Sequence, residues 1–164
     1  YFCLYHIIQQ FYIGILTIPD WSYMEDFNFS SNVVYENLNL LKQQYPFLQT
    51  GSAGKSVLGK DIPFVRIGLG QKEVFYSAAI HANEWITTPI LMKFIENYLL
   101  AYVNNTNIYG YSARSLFNSV SLYIVPMVNP DGVNLLTGEY KPGSSQYIRA
   151  QNIAKNFQNV LKYL

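Results

Sequence analysis

The stretch IHANEWITTP, residues 80–89, places a histidine and a carboxylate in an H-x-x-E spacing at His81 and Glu84. His81 follows the apolar run KEVFYSAAI, and Thr87, Thr88 and Pro89 read as a first helical turn. Proline costs little there, because its missing N–H would have had no partner in that turn. A strand ending before His81 and a helix opening near Glu84 leave a turn between them. Such a turn can aim an imidazole and a carboxylate at one zinc ion, which takes nitrogen and oxygen ligands at about 2.0–2.2 Å. The same spacing also describes a hydrogen-bonded surface pair. A catalytic zinc site needs a third protein ligand, and the chain has 2 histidines, the other being His6.

Outward from this stretch, strands alternate with helices. KEVFYSAAI is continuously apolar, which predicts a strand buried on both faces. IPFVRIGLG alternates and predicts another strand, with Arg66 on one face. Upstream, Ser30 or Ser31 can cap a helix through NVVYENLNLLKQQY with Val34, Leu38, Leu41 and Tyr45 as its apolar stripe, ended by Pro46. Downstream, Ile90, Leu91, Phe94, Ile95, Tyr98, Leu99 and Tyr102 give the next helix a wide buried face, closed by NNTNIYG. A short helix over SARSLFNS and a buried strand over VSLYIVPMV follow. Asn129, Pro130, Asp131 and Gly132 then read as a turn, with Pro130 presetting φ and Gly132 tolerating φ > 0. The alternation predicts an α/β fold with helices on both faces of the sheet. In such sheets ligands bind beyond the carboxyl ends of strands, where His81 and Asn129 both fall.

TGSAGKSVLGKDIP reads as a turn-rich connection. Its Gly54-Lys55-Ser56 is not a phosphate loop, since the required upstream glycine position holds Gln49 and no helix pattern follows. H-E-x-x-H and G-x-S-x-G are absent, and Trp85 stands where an H-x-x-E-H motif needs its second histidine.

The 164 residues suffice for one domain with a real core. Charged residues make up 13% and the formal net charge is +1, which gives no argument for nucleic acid or an anionic membrane surface. The 15 Tyr and 10 Phe do not of themselves mean a membrane protein, because tyrosine keeps a polar end. The single cysteine, Cys3, rules out an intrachain disulfide and reads as a small hydrophobe. The opening YFCLYHIIQQFYIGILTIP lacks the basic region and cleavage site of a signal peptide, and it is too polar for a clear membrane span. Residues 1–29 read as an unassigned segment or the remnant of a preceding module, and residues 30–164 as the domain that carries these motifs. SSQYIRAQNIAKNFQNVLKYL has helical spacing and no stop signal, so both ends read as cut.

HANEWITTP followed, 45 residues from Glu84 to Asn129, by IVPMVNPDGV resembles the zinc carboxypeptidase family over residues 33–164. Digestive members tend to read H-x-R-E-W, with an arginine that helps hold the peptide; here the third position is Asn83. The form HANEWITTP is more similar to bacterial γ-D-glutamyl-meso-diaminopimelate peptidases, which cut peptidoglycan stem peptides. Some carry LysM modules ahead of the catalytic domain, and YIGILTIP faintly resembles the end of one.

The resemblance implies a mixed α/β sheet with flanking helices, truncated here. It implies one zinc ion in the complete parent, with His81 and Glu84 as two of its ligands. Asn129, Pro130, Asp131 and Gly132 match a mainly architectural turn near the cleft. The family's second histidine ligand, substrate-binding arginine, cleft tyrosine and catalytic glutamate lie further along than this chain reaches. Arg149 falls before that arginine's segment and reads as a solvated helix residue. No catalytic residue is therefore assigned. The expected partner is a peptide or muropeptide, the compartment the cell envelope or its exterior. A sheet cut short would also associate through its exposed edge. The alternatives are a non-catalytic module or pseudoenzyme that binds cell-wall peptide, or a truncated gene product without function.

Overall fold

The computed structural model describes residues 29–161. The expectations for Cys3, His6, the Pro19–Asp20 turn and the LysM-like stretch lie outside the described residues. The first described helix, α1, runs Ser31–Gln44 and buries Val34, Leu38 and Leu41, with Tyr45 buried just past its end. This is the expected stripe. Its cap is not local, however. Ser30 is the N-cap residue but makes no side-chain cap bond. Instead the buried Asn134 accepts the Ser31 N–H at 2.8 Å and donates to the Ser31 hydroxyl at 2.9 Å.

Three strands follow: β1 Gln49–Lys55, β2 Asp61–Ile67 and β3 Lys72–Ser77. A 3-10 turn at Ala82–Glu84 leads into α2, Thr87–Val103. A two-residue ladder, β4 Asn107–Ile108 with β5 Tyr111–Ser112, then precedes α3, Ala113–Ser119, and β6, Val120–Val125. The last described elements are α4, Pro130–Leu136, and α5, Ser145–Leu161. The main sheet has the order β1-β2-β6-β3; β2 is antiparallel to both β1 and β6, and β3 runs parallel to β6. The α/β class with a mixed sheet thus stands as expected.

Four expectations are corrected. The turn-rich connection from Thr50 is a turn only over residues 56–60; Thr50–Lys55 belong to strand β1, exposed along its whole length. Its glycines and serines carry no hydrophobic pattern, and pairing with β2 alone makes it a strand. The run KEVFYSAAI is not buried on both faces. β3 lies at one edge of the four-stranded sheet, with Phe75 65% and Tyr76 46% exposed. Ile90 was expected in the buried face of α2 but is 62% exposed, while Met92, Ile95, Tyr98 and Leu99 are buried. Finally, NNTNIYG does more than end α2. Tyr109 and Gly110 take φ of 51° and 85°, the pattern of the tight hairpin turn that joins β4 to β5.

The core lies between the sheet and helices α1, α2 and α3, with Val65, Ile67 and Ile124 supplied by β2 and β6. The register puts Arg66 opposite Tyr123 and Tyr123 beside Phe75 on the sheet's other face. There Phe64 and Tyr123 approach at 6.3 Å between ring centroids, and the Arg66 guanidinium lies 5.5 Å from the Tyr123 ring centre.

An edge strand with exposed aromatics is a template for pairing with another chain. The chain is therefore expected to associate in a concentration-dependent way, and Phe75→Lys, which puts a charge on the outward face of that edge, to raise the monomer fraction. Sedimentation velocity reads this directly. A wild-type protein that stays monomeric up to about 100 μM, well inside the micromolar-to-millimolar range in which exposed edges aggregate, would refute it.

Candidate metal centre

β3 ends at Ser77, and the chain then continues alongside the extension of β6. The Ala78 N–H donates to the Val125 carbonyl at 3.0 Å, the Val128 N–H to the Ala78 carbonyl at 3.0 Å and the Asn129 N–H to the Ala79 carbonyl at 3.0 Å. These bonds bring the two sequence motifs side by side. Ala79 is buried and has φ of 49°, a left-handed conformation uncommon outside glycine. It turns the chain out of the sheet toward His81.

His81 is the N-cap residue of the 3-10 turn, in extended conformation, and Glu84 closes that turn. Glu84 therefore belongs to a separate turn ahead of α2, where the sequence pattern places it at the helix opening. The His81 Nδ1 and Glu84 Oε1 atoms stand 3.2 Å apart, with the two side chains 73% and 52% exposed. The predicted pair is thus brought together, at the surface. Among the described residues no third His, Cys, Asp or Glu joins them in a group able to hold a metal ion.

Asn129, Pro130, Asp131 and Gly132 are not a free-standing turn. They form the cap and first turn of α4. Asn129 accepts the Gly132 N–H at 2.9 Å, Pro130 occupies the first helical turn, and Asp131 places a negative charge at the helix N-terminus. Gly132 is required for close approach rather than for positive φ, since a Cβ there would meet the Asn129 amide nitrogen at 2.6 Å. Asp131 is committed elsewhere. Its carboxylate accepts the Leu58 N–H at 2.8 Å and the Tyr140 hydroxyl at 3.1 Å. Burial raises the Tyr140 phenol to about 12, which keeps that donor protonated. Arg149 lies on α5, exposed, with Nη2 3.4 Å from the Val57 carbonyl, as expected of a solvated helix residue.

One contributor had no sequence signal of its own. The Thr87 hydroxyl accepts the Ala79 N–H at 2.9 Å and donates to the Glu84 carbonyl at 2.7 Å.

The sequence profile of the zinc carboxypeptidase family matches residues 34–160. A γ-D-glutamyl-L-diamino acid endopeptidase of Lysinibacillus sphaericus is 45% identical over 129 residues, covering 79% of this chain and 32% of that protein. A zinc carboxypeptidase of Saccharothrix mutabilis is 30% identical over 123 residues, 70% of this chain and 27% of that protein. The chain thus spans between a quarter and a third of the length of these relatives, 27% and 32%. Among solved structures, bovine thrombin-activatable fibrinolysis inhibitor, in complex with a tick carboxypeptidase inhibitor, superposes with a TM-score of 0.57 at 21% identity. It covers 71% of this chain and 35% of that one. Carboxypeptidase A from Helicoverpa armigera gives 0.56 at 24% identity, covering 74% and 28%. At such identities these likenesses speak for the fold alone. With the profile match spanning most of its length, this chain belongs to the zinc carboxypeptidase family.

Proposed function

We propose that residues 30–164 are part of a zinc-dependent peptidase domain that hydrolyses the γ-D-glutamyl-diaminopimelate amide of peptidoglycan stem peptides, in the cell envelope or outside it. The observation that carries this is the 3.2 Å pairing of an imidazole nitrogen with a carboxylate oxygen beyond the end of β3. Two donors sharing one tetrahedral ion at about 2.0–2.1 Å stand about 3.3 Å apart, so the pair fits zinc. The substrate class is supported by the 45% identity to the Lysinibacillus endopeptidase.

His81 and Glu84 would hold the ion. When bound, zinc supplies Lewis acidity, which polarises a scissile carbonyl and acidifies a water molecule. The chain's own residues contribute position. The strand end fixes where the turn leaves the sheet, and the helix α4 braces it from the side. Glu84, occupied as a ligand, is not free to act as general base, and Asp131 is held by Leu58 and Tyr140. The described residues thus furnish half of a catalytic site.

The 164-residue chain is accordingly expected to bind zinc weakly and to leave γ-D-glutamyl-diaminopimelate peptide uncut. A longer product, in which the same residues are joined to a segment that supplies a further histidine and glutamate, is expected to bind one zinc tightly and cleave it. Metal analysis and product chromatography of both test this. Tight stoichiometric zinc and turnover by the 164-residue chain would overturn the division, and no turnover by the longer product would overturn the substrate.

A further inference from the structure

We infer that Thr87 is a positioning residue for the His81–Glu84 pair, an inference that rests on reading that pair as metal ligands. His81 and Glu84 are both exposed, so packing does not hold their side chains. Their separation is set by the backbone of the turn that carries them. Two points of that backbone are tied by one side chain. The Thr87 hydroxyl accepts from Ala79, before the turn, and donates to the carbonyl of Glu84, within it.

Ala79 needs such a tie. Its φ of 49° is a conformation that costs about 1–2 kcal/mol for a residue with a Cβ, so it persists only where neighbours enforce it. Its carbonyl is held by the Asn129 N–H and its own N–H by Thr87. Asn129 fixes Ala79 from the α4 side and Thr87 from the α2 side. The inflection that sends the chain toward His81 is thereby clamped from both flanks.

The Thr87 hydroxyl is not spent on its own helix. Ile86 is the N-cap of α2, and the helix start has no side-chain cap bond. Nor does its neighbour offer the same service, for the Thr88 hydroxyl is buried without a hydrogen-bond partner among the described residues. Thr87 itself is exposed, so exchanging its hydroxyl for a methyl group alters little packing.

Three variants test this: Thr87→Val, which removes the hydroxyl at constant shape, Thr87→Ser, which restores it, and Ser119→Ala, which deletes a hydroxyl bonded to the Ser115 carbonyl at 2.8 Å on the distant helix α3. Zinc affinity is read by competition with a chromophoric chelator. Amide hydrogen exchange at Ala79, and nuclear Overhauser contacts between the His81 ring and the Glu84 side chain, are read without metal. Thr87→Val is expected to weaken zinc about 10-fold or more, the range seen when partners that orient metal ligands are removed. It should also speed exchange at Ala79 and erase the His81–Glu84 contacts, with Thr87→Ser and Ser119→Ala close to wild type in all three. Retained contacts and protection in Thr87→Val, or equal losses in Ser119→Ala, overturn the inference. If wild type binds zinc no better than His81→Ala, the metal reading fails, while the exchange and contact data still decide whether Thr87 sets the geometry.

Discussion

Gly70→Ala is expected to prevent folding, or to cost about 4 kcal/mol or more, near the upper end of what single substitutions do. A Cβ at Gly70 would lie 1.9 Å from the Ser119 carbonyl carbon and 2.1 Å from the Val120 nitrogen. These are backbone atoms at the junction of α3 and β6, so no side chain can rotate aside. Relief would require the loop between β2 and β3 to lift from that junction. The junction is also bonded there: the Leu69 N–H donates to the Phe117 carbonyl at 2.7 Å, and the Ser121 hydroxyl to the Gly70 carbonyl at 2.7 Å. Because β6 is the strand that joins β3 to the rest of the sheet, displacing its start disturbs the register beneath the His81 turn. Gly138→Ala is the matched control. It has φ of 74° with open space around its missing Cβ, so it should lose only the conformational term, about 1–2 kcal/mol. Urea midpoints of the two variants give the comparison. A Gly70→Ala protein that unfolds within about 1 kcal/mol of wild type would show that the close approach relaxes cheaply.

The elements legible in the sequence were those whose pattern is local. The stripe Val34, Leu38, Leu41 and Tyr45 announces α1 because a helix repeats its buried face every turn or so. The His81–Glu84 turn is legible because a buried strand end, a spacing of three and a Thr-Thr-Pro start coincide. What was hidden depends on partners distant in the chain. β1 carries no hydrophobic alternation and exists by pairing with β2. The cap of α1 comes from Asn134, 103 residues away from Ser31, and nothing in a serine at a helix start announces that. The apolar run of β3 correctly signals a strand. It misleads about burial, because a run suited to cover on both faces here sits at the edge of the described sheet. Asn-Pro-Asp-Gly suits both a turn and a capped helix, and the residues after it, with Val133 and Asn134 buried, decide for the helix. In the candidate site the pairing of an imidazole with a carboxylate was legible. The Thr87 hydroxyl that ties Ala79 to the Glu84 carbonyl was not, since Thr87 and Thr88 are the same residue in the same motif and only the fold distinguishes them.

His81→Ala is expected to abolish measurable zinc binding, since removing even an outer partner of a metal ligand costs about 10–100-fold. Glu84→Gln should lose nearly as much, because the amide keeps the shape of the carboxylate but not its charge. Both substitutions should leave the unfolding midpoint almost unchanged. The side chains are 73% and 52% exposed, and surface changes of this kind stay within about 0.5 kcal/mol. Their mutual contact adds little stability for the same reason, as exposed ion pairs contribute about 0–1 kcal/mol. Asp131→Asn separates the two kinds of role. It lies on the neighbouring helix α4, and its bonds run to Leu58 and Tyr140 rather than to the turn. It should cost stability by weakening a bond to a charged acceptor, about 1.5–3 kcal/mol at most, and leave zinc affinity in place. Chelator competition and thermal melts on the four proteins therefore yield opposite patterns for ligand and brace. Zinc binding that survives both His81→Ala and Glu84→Gln would mean that the ion is held elsewhere. The paired donors at the end of β3 would then be a surface hydrogen bond and nothing more.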